Sequence, residues 1–453
     1  MAGSSIYKSG VDPTTSTQKA TWSFWVKFHN ARTDGNDYFL FSSYSDANSR
    51  MHIKIDGSGN LDINERMSSS TSINLITDME YRDVSGWYNF VVAIDTTQGT
   101  AADRVKVYVN GEQITSFSTE TYPSQNEDIH PLQGNVTQYL GCYGGNVNSA
   151  SYCLNGSMSH CHFTDGTQYA ASDFGETDTT TGEWKIKTDV SVTYGNNGWF
   201  IFKDNSSLTN QAGNSAGNFA VDTGTITQTE DCPSNVFCTL NGLGYAAASF
   251  TLIEGSNYSG GADNNWRSIY GTLGASSGKY YYEVKCISSS DYERFGACTV
   301  DQANKCTANT GRYDDSGYGS EGYGYTSDGE KSNNGGTTSG YGDTWGANDI
   351  LSCALDLDNN KIYFGKNGTW QNSGDPTSGS TGTGAAYTIA SDKIYIPAFA
   401  SYGAASNLAF NFGNGYFRTS AISSEGTNAS GNGKFEYDVP TGYTALCTKG
   451  INS

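Results

Sequence analysis

The sequence predicts an all-β protein built from two antiparallel β-sandwiches joined by an extended connector. Its 453 residues leave room for two or three domains. Short β-branched and aromatic runs recur between clusters of Gly, Asn, Ser, Thr and Asp, a pattern typical of strands and turns. Glycine (55 residues) and tyrosine (31) are frequent and proline (7) is rare. No run follows the 3.6-residue period of a long amphipathic helix.

Strand patterns fill the first 203 residues. Residues 104–109 alternate strictly and end in the hairpin dipeptide Asn110-Gly111. Residues 198–203 predict a buried strand that could close a sandwich. The remaining strands of this part are predicted at residues 20–28, 37–44, 51–55, 87–94, 139–143 and 157–163.

The order of these strands resembles the LamG-like, concanavalin A-type jelly roll over about residues 1–165. In that family a W-S-x-W-V strand precedes W-Y-x-x-V and V-x-V-Y-V-N-G strands. The residues that stand in those places are Trp22, Trp25, Trp87, Tyr88, Tyr108, Asn110 and Gly111. The resemblance implies a first domain, which we place at residues 1–203.

Residues 163–245 resemble a module that joins such domains in bacteriophage virion proteins. Its motifs are Phe163-Thr-Asp165-Gly166, Ser172-Asp-Phe174-Gly175-Glu176, Thr181-Gly182-Glu183-Trp184-Lys185 and Asp231-Cys-Pro233-Ser-Asn235. Residues 204–248 are polar, and we expect them to form the connector.

Residues 341–368 predict a β-hairpin. Residues 350–357 alternate around small and apolar residues, Asp358-Asn359-Asn360 suits a tight turn, and residues 361–366 form the return strand. The hairpin resembles the core of a SPRY domain, a β-sandwich that binds partners through loops. Further motifs place that domain at residues 249–415, and the tail at 416–453 resembles the segment that follows SPRY domains in phage proteins. Those motifs include Trp266-Arg267, Phe295-Gly296-Ala297, Tyr395-Ile-Pro397 and Asn411-Phe412-Gly413.

The charge of the chain argues against two kinds of partner. The formal net charge is −20, whereas nucleic-acid binding needs a basic surface that replaces counterions. An anionic membrane surface is disfavoured for the same reason. Solubility of a large surface explains the charge, so no cofactor is predicted; the alternative is that some carboxylates hold Ca²⁺.

Targeting signals and cysteine spacing indicate where the chain is made and whether its cysteines are reduced. No stretch approaches 18 apolar residues, so we expect no membrane insertion. Residues 1–10 have no apolar core of a signal peptide, so we expect synthesis in a cytosol. The ten cysteines form no CxxC pair, and most are expected to be reduced core thiols. Cys142 and Cys153 flank a Gly/Asn-rich loop and could also pair in an oxidising medium.

The aromatic loop at 311–345 is the predicted binding site. Rings alternate there with Gly, Ser and Asp, a composition that binding loops use. Aromatic faces stack on sugar rings, and Asp or Asn accept hydrogen bonds from sugar hydroxyls. The candidate ligand-contacting residues are Tyr313, Tyr318, Tyr341 and Trp345. Two alternatives stay open: the rings belong to the domain core, or they contact other subunits of an assembly.

We predict no catalytic residue and no metal site. Asn60-Leu-Asp62-Ile-Asn-Glu65 is similar to the Glu-x-Asp-x-x-Glu of glycosidases on the concanavalin A-type fold, but Asn60 stands where the nucleophile is needed. Asp62 and Glu65 are therefore expected to be solvent-facing strand residues. His160 and His162 share a strand face, yet the sequence shows no third ligand.

The resemblance implies a bacteriophage virion structural protein. We expect a non-enzymatic surface protein, a fibre or appendage that contacts host-surface glycans or receptors. It would be made in the host cytoplasm and carried on the virion surface, with other virion proteins as partners. A homo-oligomer is expected, although no heptads are present. One alternative is a head or tail decoration protein that contacts only virion subunits, and the third is a glycan-degrading enzyme.

Overall fold

In the computed structural model the chain forms two β-rich units, Met1–Gln228 (unit 1) and Thr229–Ser453 (unit 2). The structure describes residues 4–29, 35–203, 207–241, 266–289, 292–306, 311–317, 319–402 and 406–452, and the backbone of 251–253 and 257–259. Within these ranges the three α-helices have four to six residues each, and none is long and apolar enough to cross a membrane. The prediction of an all-β fold is confirmed.

Unit 1 is a sandwich of two antiparallel sheets. Its eight-stranded sheet has the order β10-β6-β5-β4-β3-β11-β1-β16, and its six-stranded sheet has the order β15-β12-β2-β7-β8-β9. The strands are β1 (Ser5–Ser9), β2 (Lys19–Phe28), β3 (Tyr38–Asp46), β4 (Ser49–Ile55), β5 (Asn60–Met67), β6 (Ser70–Glu80), β7 (Tyr88–Asp95), β8 (Val105–Val109), β9 (Glu112–Ile114), β10 (Phe117–Thr121), β11 (Thr137–Leu140), β12 (Gly156–Asp165), β13 (Gly175–Thr177), β14 (Trp184–Ile186), β15 (Trp199–Ile201) and β16 (Ala220–Thr223). The short helix α1 is Ala101–Arg104.

Alternating apolar side chains from both sheets form the core of unit 1. Trp22 on β2 stacks on Phe163 of β12 with ring centroids 4.9 Å apart, and both side chains are fully buried. Trp199 on β15 donates from Nε1 to Gln138 Oε1 over 2.7 Å. β15 pairs with β12 at the edge of the six-stranded sheet, so the strand expected at 198–203 does complete this sheet.

The hairpin β13–β14 carries much of the module that the sequence singled out, and its role is structural. Trp184 Nε1 donates to Asn89 Oδ1 over 3.1 Å. The Trp184 ring lies so close to Gly111 and Gly175 that a Cβ on either would approach it to 2.5 or 2.4 Å. These contacts fasten the hairpin to the turn that follows β8.

The boundary between the units differs from the predicted connector at 204–248. β16 pairs antiparallel with β1, so residues up to Gln228 belong to unit 1. Phe237 and Cys238 are buried in unit 2, where the Cys238 N–H donates to Leu446 O over 2.9 Å. Backbone hydrogen bonds therefore attach the first part of this stretch to unit 1 and the later part to unit 2. A polar sequence does not reveal such backbone pairing. Residues 204–206 and 242–250 lie outside the described residues.

Unit 2 is also a sandwich of two sheets. The larger sheet has the order β17-β18-β30-β20-β25-β26-β27, with β28 beside β26 and β33 beside β20, and the smaller has the order β19-β29-β21-β22-β23-β24. The strands are β17 (Thr251–Ile253), β18 (Asn257–Ser259), β19 (Trp266–Tyr270), β20 (Lys279–Ser288), β21 (Glu293–Thr299), β22 (Gly322–Thr326), β23 (Lys331–Asn333), β24 (Gly336–Thr338), β25 (Ile350–Asp356), β26 (Lys361–Lys366), β27 (Thr369–Trp370), β28 (Tyr387–Thr388), β29 (Tyr395–Tyr402), β30 (Asn407–Asn411), β31 (Tyr416–Phe417), β32 (Ser420–Ala421) and β33 (Thr444–Ala445). Two short helices, α2 (Val300–Lys305) and α3 (Thr448–Ile451), complete it.

The predicted hairpin is confirmed as β25 and β26, which pair from Leu351↔Lys366 to Asp356↔Lys361. Ile362 and Phe364 are fully buried in the core between the sheets. Tyr363 points to the other face, where it packs with Phe435 and Tyr443 of the C-terminal segment. Both faces of this hairpin are therefore buried.

A buried carboxylate fastens the C-terminal segment to β20. Glu283 accepts hydrogen bonds from the backbone N–H groups of Glu436 and Tyr437, each over 2.9 Å, and from Tyr281 Oη over 2.9 Å. Burial raises the pKa of Glu283 to about 7, although these donors oppose the shift. The predicted tail at 416–453 is thus an integral layer of unit 2.

Candidate functional site

The eight-stranded sheet of unit 1 turns one face to the core and one away from it. We call the latter the outer face. One row of cross-strand neighbours on it is Tyr7, Tyr139, Ser42, His52, Asn64 and Asn74. A second row runs from Tyr44 through Arg50 to Arg66. The rows exist because apolar residues such as Ile53 and Ile63 alternate with them and fill the core.

Several buried polar atoms of the outer face have no hydrogen-bond partner among the described residues. His52 is 8% exposed and neither ring nitrogen is hydrogen-bonded; Asp62 Oδ2 lies 3.7 Å from its Nε2. Asp62 Oδ1 and the Nε atoms of Arg50 and Arg66 are also without partners. An unsatisfied buried polar group costs about 1–3 kcal/mol. Their concentration on one face favours a binding role over a purely structural one.

A cluster of charged side chains lies in the middle of the outer face. Lys54 Nζ lies 2.8 Å from Asp37 Oδ2 and 3.4 Å from Asp62 Oδ2, and 5.6 Å from the centroid of the Phe39 ring. Burial alone would lower the pKa of Lys54, but the two carboxylates outweigh it and hold that pKa above its ordinary value. Burial opposes ionisation of Asp62 as well, yet His52 and Lys54 keep its pKa below the ordinary value. Lys54 and Asp62 are therefore both ionised at neutral pH.

A loop closed by a disulfide between Cys142 and Cys153, the disulfide loop, lies over part of the outer face. Ser42 Oγ donates to Cys142 O over 3.0 Å and accepts from the Gly144 N–H over 2.9 Å. The Asp37 N–H donates to Ser151 O over 3.0 Å. Of the two alternatives for this cysteine pair, the structure contains the disulfide, and seven of the eight free cysteines are buried.

The disulfide loop brings two tyrosines to the rings of the sheet. The Tyr143 ring centroid lies 5.0 Å from that of Phe39 and 5.5 Å from that of Tyr44. Tyr152 lies 6.3 Å from Phe39 and is 38% exposed. Tyr7, beside Tyr139 at 6.2 Å, is 36% exposed. The face thus carries two groups of rings, each with a partly exposed tyrosine: Tyr7 beside Tyr139, and Tyr152 beside Phe39 and Tyr143.

Two glycines let the loop backbone approach these rings. A Cβ on Gly144 would come within 2.5 Å of the Tyr139 ring, and one on Gly145 within 2.7 Å of the Tyr143 ring and 2.8 Å of the Tyr44 ring. No other residue type fits at either position without displacing an aromatic side chain. The short distance between loop and sheet fixes where Tyr143 and Tyr152 stand.

This arrangement suits recognition of a polar, ring-shaped ligand. Aromatic side chains supply rigid stacking surfaces at low entropic cost. On the same face, β5 and β6 carry the Asn64 and Asn74 amides, which are joined by a 3.2 Å hydrogen bond and retain donors and acceptors for hydroxyl groups. Arg50, Arg66 and His52 add further side-chain nitrogen atoms to this face. A saccharide has both the apolar ring faces and the hydroxyls that such a surface binds.

Comparison with known families identifies both units. The SPRY domain family matches residues 279–415. The concanavalin A-like lectin/glucanases superfamily matches residues 3–139. The chain carries a concanavalin A-like domain followed by a SPRY domain. This confirms the predicted domain types and their order, and we use the two names for units 1 and 2.

Similarity to individual proteins is partial. The ATP-dependent RNA helicase DDX1 of Xenopus laevis is 33% identical over 103 residues, 23% of this chain and 12% of the helicase. Three solved structures are each 14% identical to the chain. The SPRY domain of human HERC1 covers 34% of this chain and 86% of its own (TM-score 0.27), and a human SPRY domain covers 36% and 94% (TM-score 0.28). A heptameric SAP-like pentraxin from Limulus polyphemus covers 37% and 72% (TM-score 0.28).

The SPRY domain buries the rings that the sequence offered as binding residues. Tyr313 is fully buried, and Tyr341 and Trp345 are 4% exposed. Tyr341 Oη accepts from the Phe364 N–H over 3.1 Å, and the Tyr341 and Trp345 rings pack around Tyr325. These three side chains offer no ring face to a ligand, which corrects their interpretation as contact residues in favour of the core alternative. Tyr318 lies outside the described residues.

Asp62 and Glu65 of the concanavalin A-like domain are not the solvent-facing residues that we expected. Asp62 is 9% exposed on the outer face. Glu65 is fully buried on the core side, where it accepts from Ser72 Oγ and the His130 N–H, each over 2.5 Å. Burial raises the pKa of Glu65 to about 7. The two carboxylates point to opposite faces of β5, so they do not share the cleft that a two-carboxylate glycosidase mechanism needs.

The histidines at 160 and 162 are held by neighbours. His162 is buried, stacks on Phe200 with centroids 4.0 Å apart, and its Nδ1 lies 2.8 Å from Tyr194 Oη. Burial lowers the pKa of His162 well below its ordinary value. Within the described part of the chain, no group of three or more His, Cys, Asp or Glu side chains is placed to hold a metal ion.

Sequence reasoning missed the outer face because its residues come from separate strands. Arg50, His52 and Lys54 alternate with core residues, as do Asp62, Asn64 and Arg66, and such alternation is usual for a solvated strand face. The available signal was the cysteine-bounded segment at 142–153, which carries two tyrosines and two glycines.

Proposed function

We propose that the protein is a non-enzymatic surface component of a bacteriophage virion that contacts host-surface glycans through the outer face of the concanavalin A-like domain. The observation that carries the proposal is the outer face itself, with partly exposed tyrosines beside buried polar atoms that lack partners. The virion assignment is supported by the motifs at 163–235 and by the tail at 416–453, which resemble phage modules.

The carboxylate geometry supports a binding role over a glycan-degrading one. Asn60 donates from Nδ2 to Thr77 O over 2.9 Å and closes the irregular pairing between β5 and β6. Asp62 is tied to Lys54, and Glu65 lies on the core side. Cleavage of a glycosidic bond requires two carboxyl groups that flank the bond, and these two do not face the same cleft.

The test is binding of the full chain to an array of bacterial surface polysaccharides. Tyr143→Ala with Tyr152→Ala removes the two rings of the disulfide loop, and Tyr292→Ala removes a tyrosine of the SPRY domain that is 57% exposed. We expect the double variant to lose at least tenfold in affinity and the control to bind as the wild type does. Equal binding by all three proteins would reject the outer face as the site.

The virion assignment needs a separate test. An antibody against the full chain should decorate the exterior of intact particles in electron micrographs, and polysaccharide incubated with the protein should keep its chain length. Binding only to other particle proteins, with no glycan bound, would favour a decoration protein. Shortening of the polysaccharide would contradict the non-enzymatic assignment.

A further inference from the structure

Arg50 on β4 and Arg66 on β5 are direct cross-strand partners on the outer face. A guanidinium group stays charged throughout the physiological pH range. Like charges directly opposite each other on a sheet are destabilising. The pair therefore needs a compensating group or a function that outweighs its cost.

No described carboxylate makes an ion pair with either arginine. Acids of β3 and β5 are used elsewhere: Asp62 on β5 pairs with Lys54 at 3.4 Å, and Asp46 Oδ1 on β3 accepts from the Asn48 N–H over 2.7 Å. Glu65 lies on the core side with Ser72. The positive charge of the pair is thus left available on a chain whose formal net charge is −20.

The two guanidinium groups are held in place by the turns next to them. Arg50 Nη1 donates to Ala47 O over 2.6 Å, and Arg66 Nη2 donates to Ser69 O over 3.2 Å. Their Nε atoms are buried and without partners. These hydrogen bonds fix both side chains and leave donors over on each guanidinium group, which is a preorganised arrangement for an anion.

Aromatic rings adjoin the arginine pair. Tyr44 is the cross-strand partner of Arg50 on β3, and the Tyr143 ring lies 5.5 Å from that of Tyr44. Burial raises the pKa of Tyr143, whereas the positive charge of Arg50 and a hydrogen bond with its side chain act in the opposite direction. A group that carries an anion next to a sugar ring would meet both features together.

We propose that the outer face selects negatively charged saccharides, with a carboxylate or phosphate group on Arg50 and Arg66 and the adjoining sugar ring against Tyr44 and Tyr143. This proposal rests on the proposed function and narrows it to a class of glycan. Arginine matches both anions because its planar fork donates two parallel hydrogen bonds to either.

The experiment compares matched polysaccharides with the full chain. Uronate-containing polymers are tested before and after reduction of their carboxyl groups to alcohols, and phosphate-containing polymers before and after removal of the phosphate. We expect binding to at least one charged polymer, a loss of about tenfold or more on neutralisation, and weaker binding at higher salt. The two arms distinguish a carboxylate from a phosphate.

Variants assign the effect to the arginine pair. Arg66→Gln should lower affinity for the charged polymer about tenfold to a hundredfold. Arg66→Lys keeps the charge but loses the planar fork of donors. Its affinity for the charged polymer should lie between those of the wild type and Arg66→Gln. Lys106→Gln on β8, in the other sheet, changes the net charge equally and should bind as the wild type does. Thermal unfolding of each variant checks that the domain is intact.

The outcomes distinguish selection for anionic saccharides from the more general proposal that the outer face binds glycans. Equal binding to charged and neutralised polymers, or no effect of Arg66→Gln, would overturn the selection for anions and leave glycan binding standing. No binding to any polymer, charged or neutral, would overturn both.

Discussion

The indole ring of Trp184 lies against Gly111, so closely that a Cβ at Gly111 would come within 2.5 Å of its Cε3 atom. Gly111 has φ +85°, a conformation that L side chains rarely adopt. The contact joins the hairpin β13–β14 to the turn after β8. The motif at 181–185 thus holds the hairpin against the concanavalin A-like domain.

We therefore expect Gly111→Ala to destabilise this domain by about 2–4 kcal/mol, because steric overlap adds to the cost of a positive φ. Gly213→Ala is the control: Gly213 has φ +73° and no atom within 4 Å of its added Cβ, so it reports the backbone cost alone. Urea unfolding of the full chain, monitored by tryptophan fluorescence, measures the loss of stability in both variants. Equal losses would show that the Trp184 contact contributes little.

The disulfide loop should be needed for binding more than for folding. Replacing Cys142 and Cys153 by serine removes a closure of separation 11, worth about 3 kcal/mol or less in the loop-entropy estimate. We expect weaker glycan binding and faster proteolysis within residues 143–152, while the circular dichroism of the sheets is unchanged. Cys232→Ser, a partly exposed free cysteine, is the control. Unchanged binding in the double variant would contradict the role given to this loop.

Gly144→Ala tests the position of the loop without touching the disulfide. Its Cβ would meet the Tyr139 ring at 2.5 Å and Tyr44 Cβ at 2.9 Å, so the loop must lift from the sheet. We expect glycan affinity to fall about tenfold, because ring spacing changes, with a loss of stability of about 1–3 kcal/mol. At Gly86 the nearest atom to an added Cβ is 3.8 Å away, so Gly86→Ala should alter neither. Calorimetric titration with the bound polysaccharide measures the difference.

The buried Glu283 predicts that the SPRY domain becomes less stable as pH rises. Its pKa in the folded state is about 7, above the ordinary 4.5, so its contribution is fully present below pH 4.5 and lost as pH rises to about 7. The loss is roughly 3 kcal/mol. All five histidines, at 29, 52, 130, 160 and 162, lie in the other domain, so no imidazole of the SPRY domain titrates in this window.

Hydrogen exchange checks this pH dependence. Protection of the Glu436 and Tyr437 amides, corrected for the intrinsic rate at each pH, should fall between pH 5 and pH 7.5 in the wild type. Glu283→Gln should abolish the slope, whatever its absolute protection. Protection that stays constant in the wild type would show that Glu283 remains ionised when buried.

Local patterns predicted elements whose side chains alternate between core and solvent. The hairpin of β25 and β26 and the strand β8 were found because apolar residues recur there at period two. β16 was missed: three of its four residues are exposed, and its pairing with β1 holds it in the sheet. A strand held mainly by main-chain hydrogen bonds has no hydrophobic pattern to detect.

The candidate site was harder to predict because register decides it. Arg50 and Arg66 are 16 positions apart and become neighbours only through the pairing of β4 and β5. Tyr313 misled for the opposite reason. The composition of the segment around Tyr313 suits a binding loop, but Cys298 and Ala398 from two other strands pack against this ring and bury it. Burial by distant segments cannot be read from a residue's own surroundings in the sequence.

In each domain the first and last described segments lie side by side. β1 pairs with β16 in the concanavalin A-like domain, and Phe237 forms a bridge with Cys447 in the SPRY domain. A domain whose entry and exit meet can be inserted into a loop of an unrelated protein without stretching either connection. A recombination event can therefore transfer each domain as one unit into another protein without disturbing the scaffold that receives it.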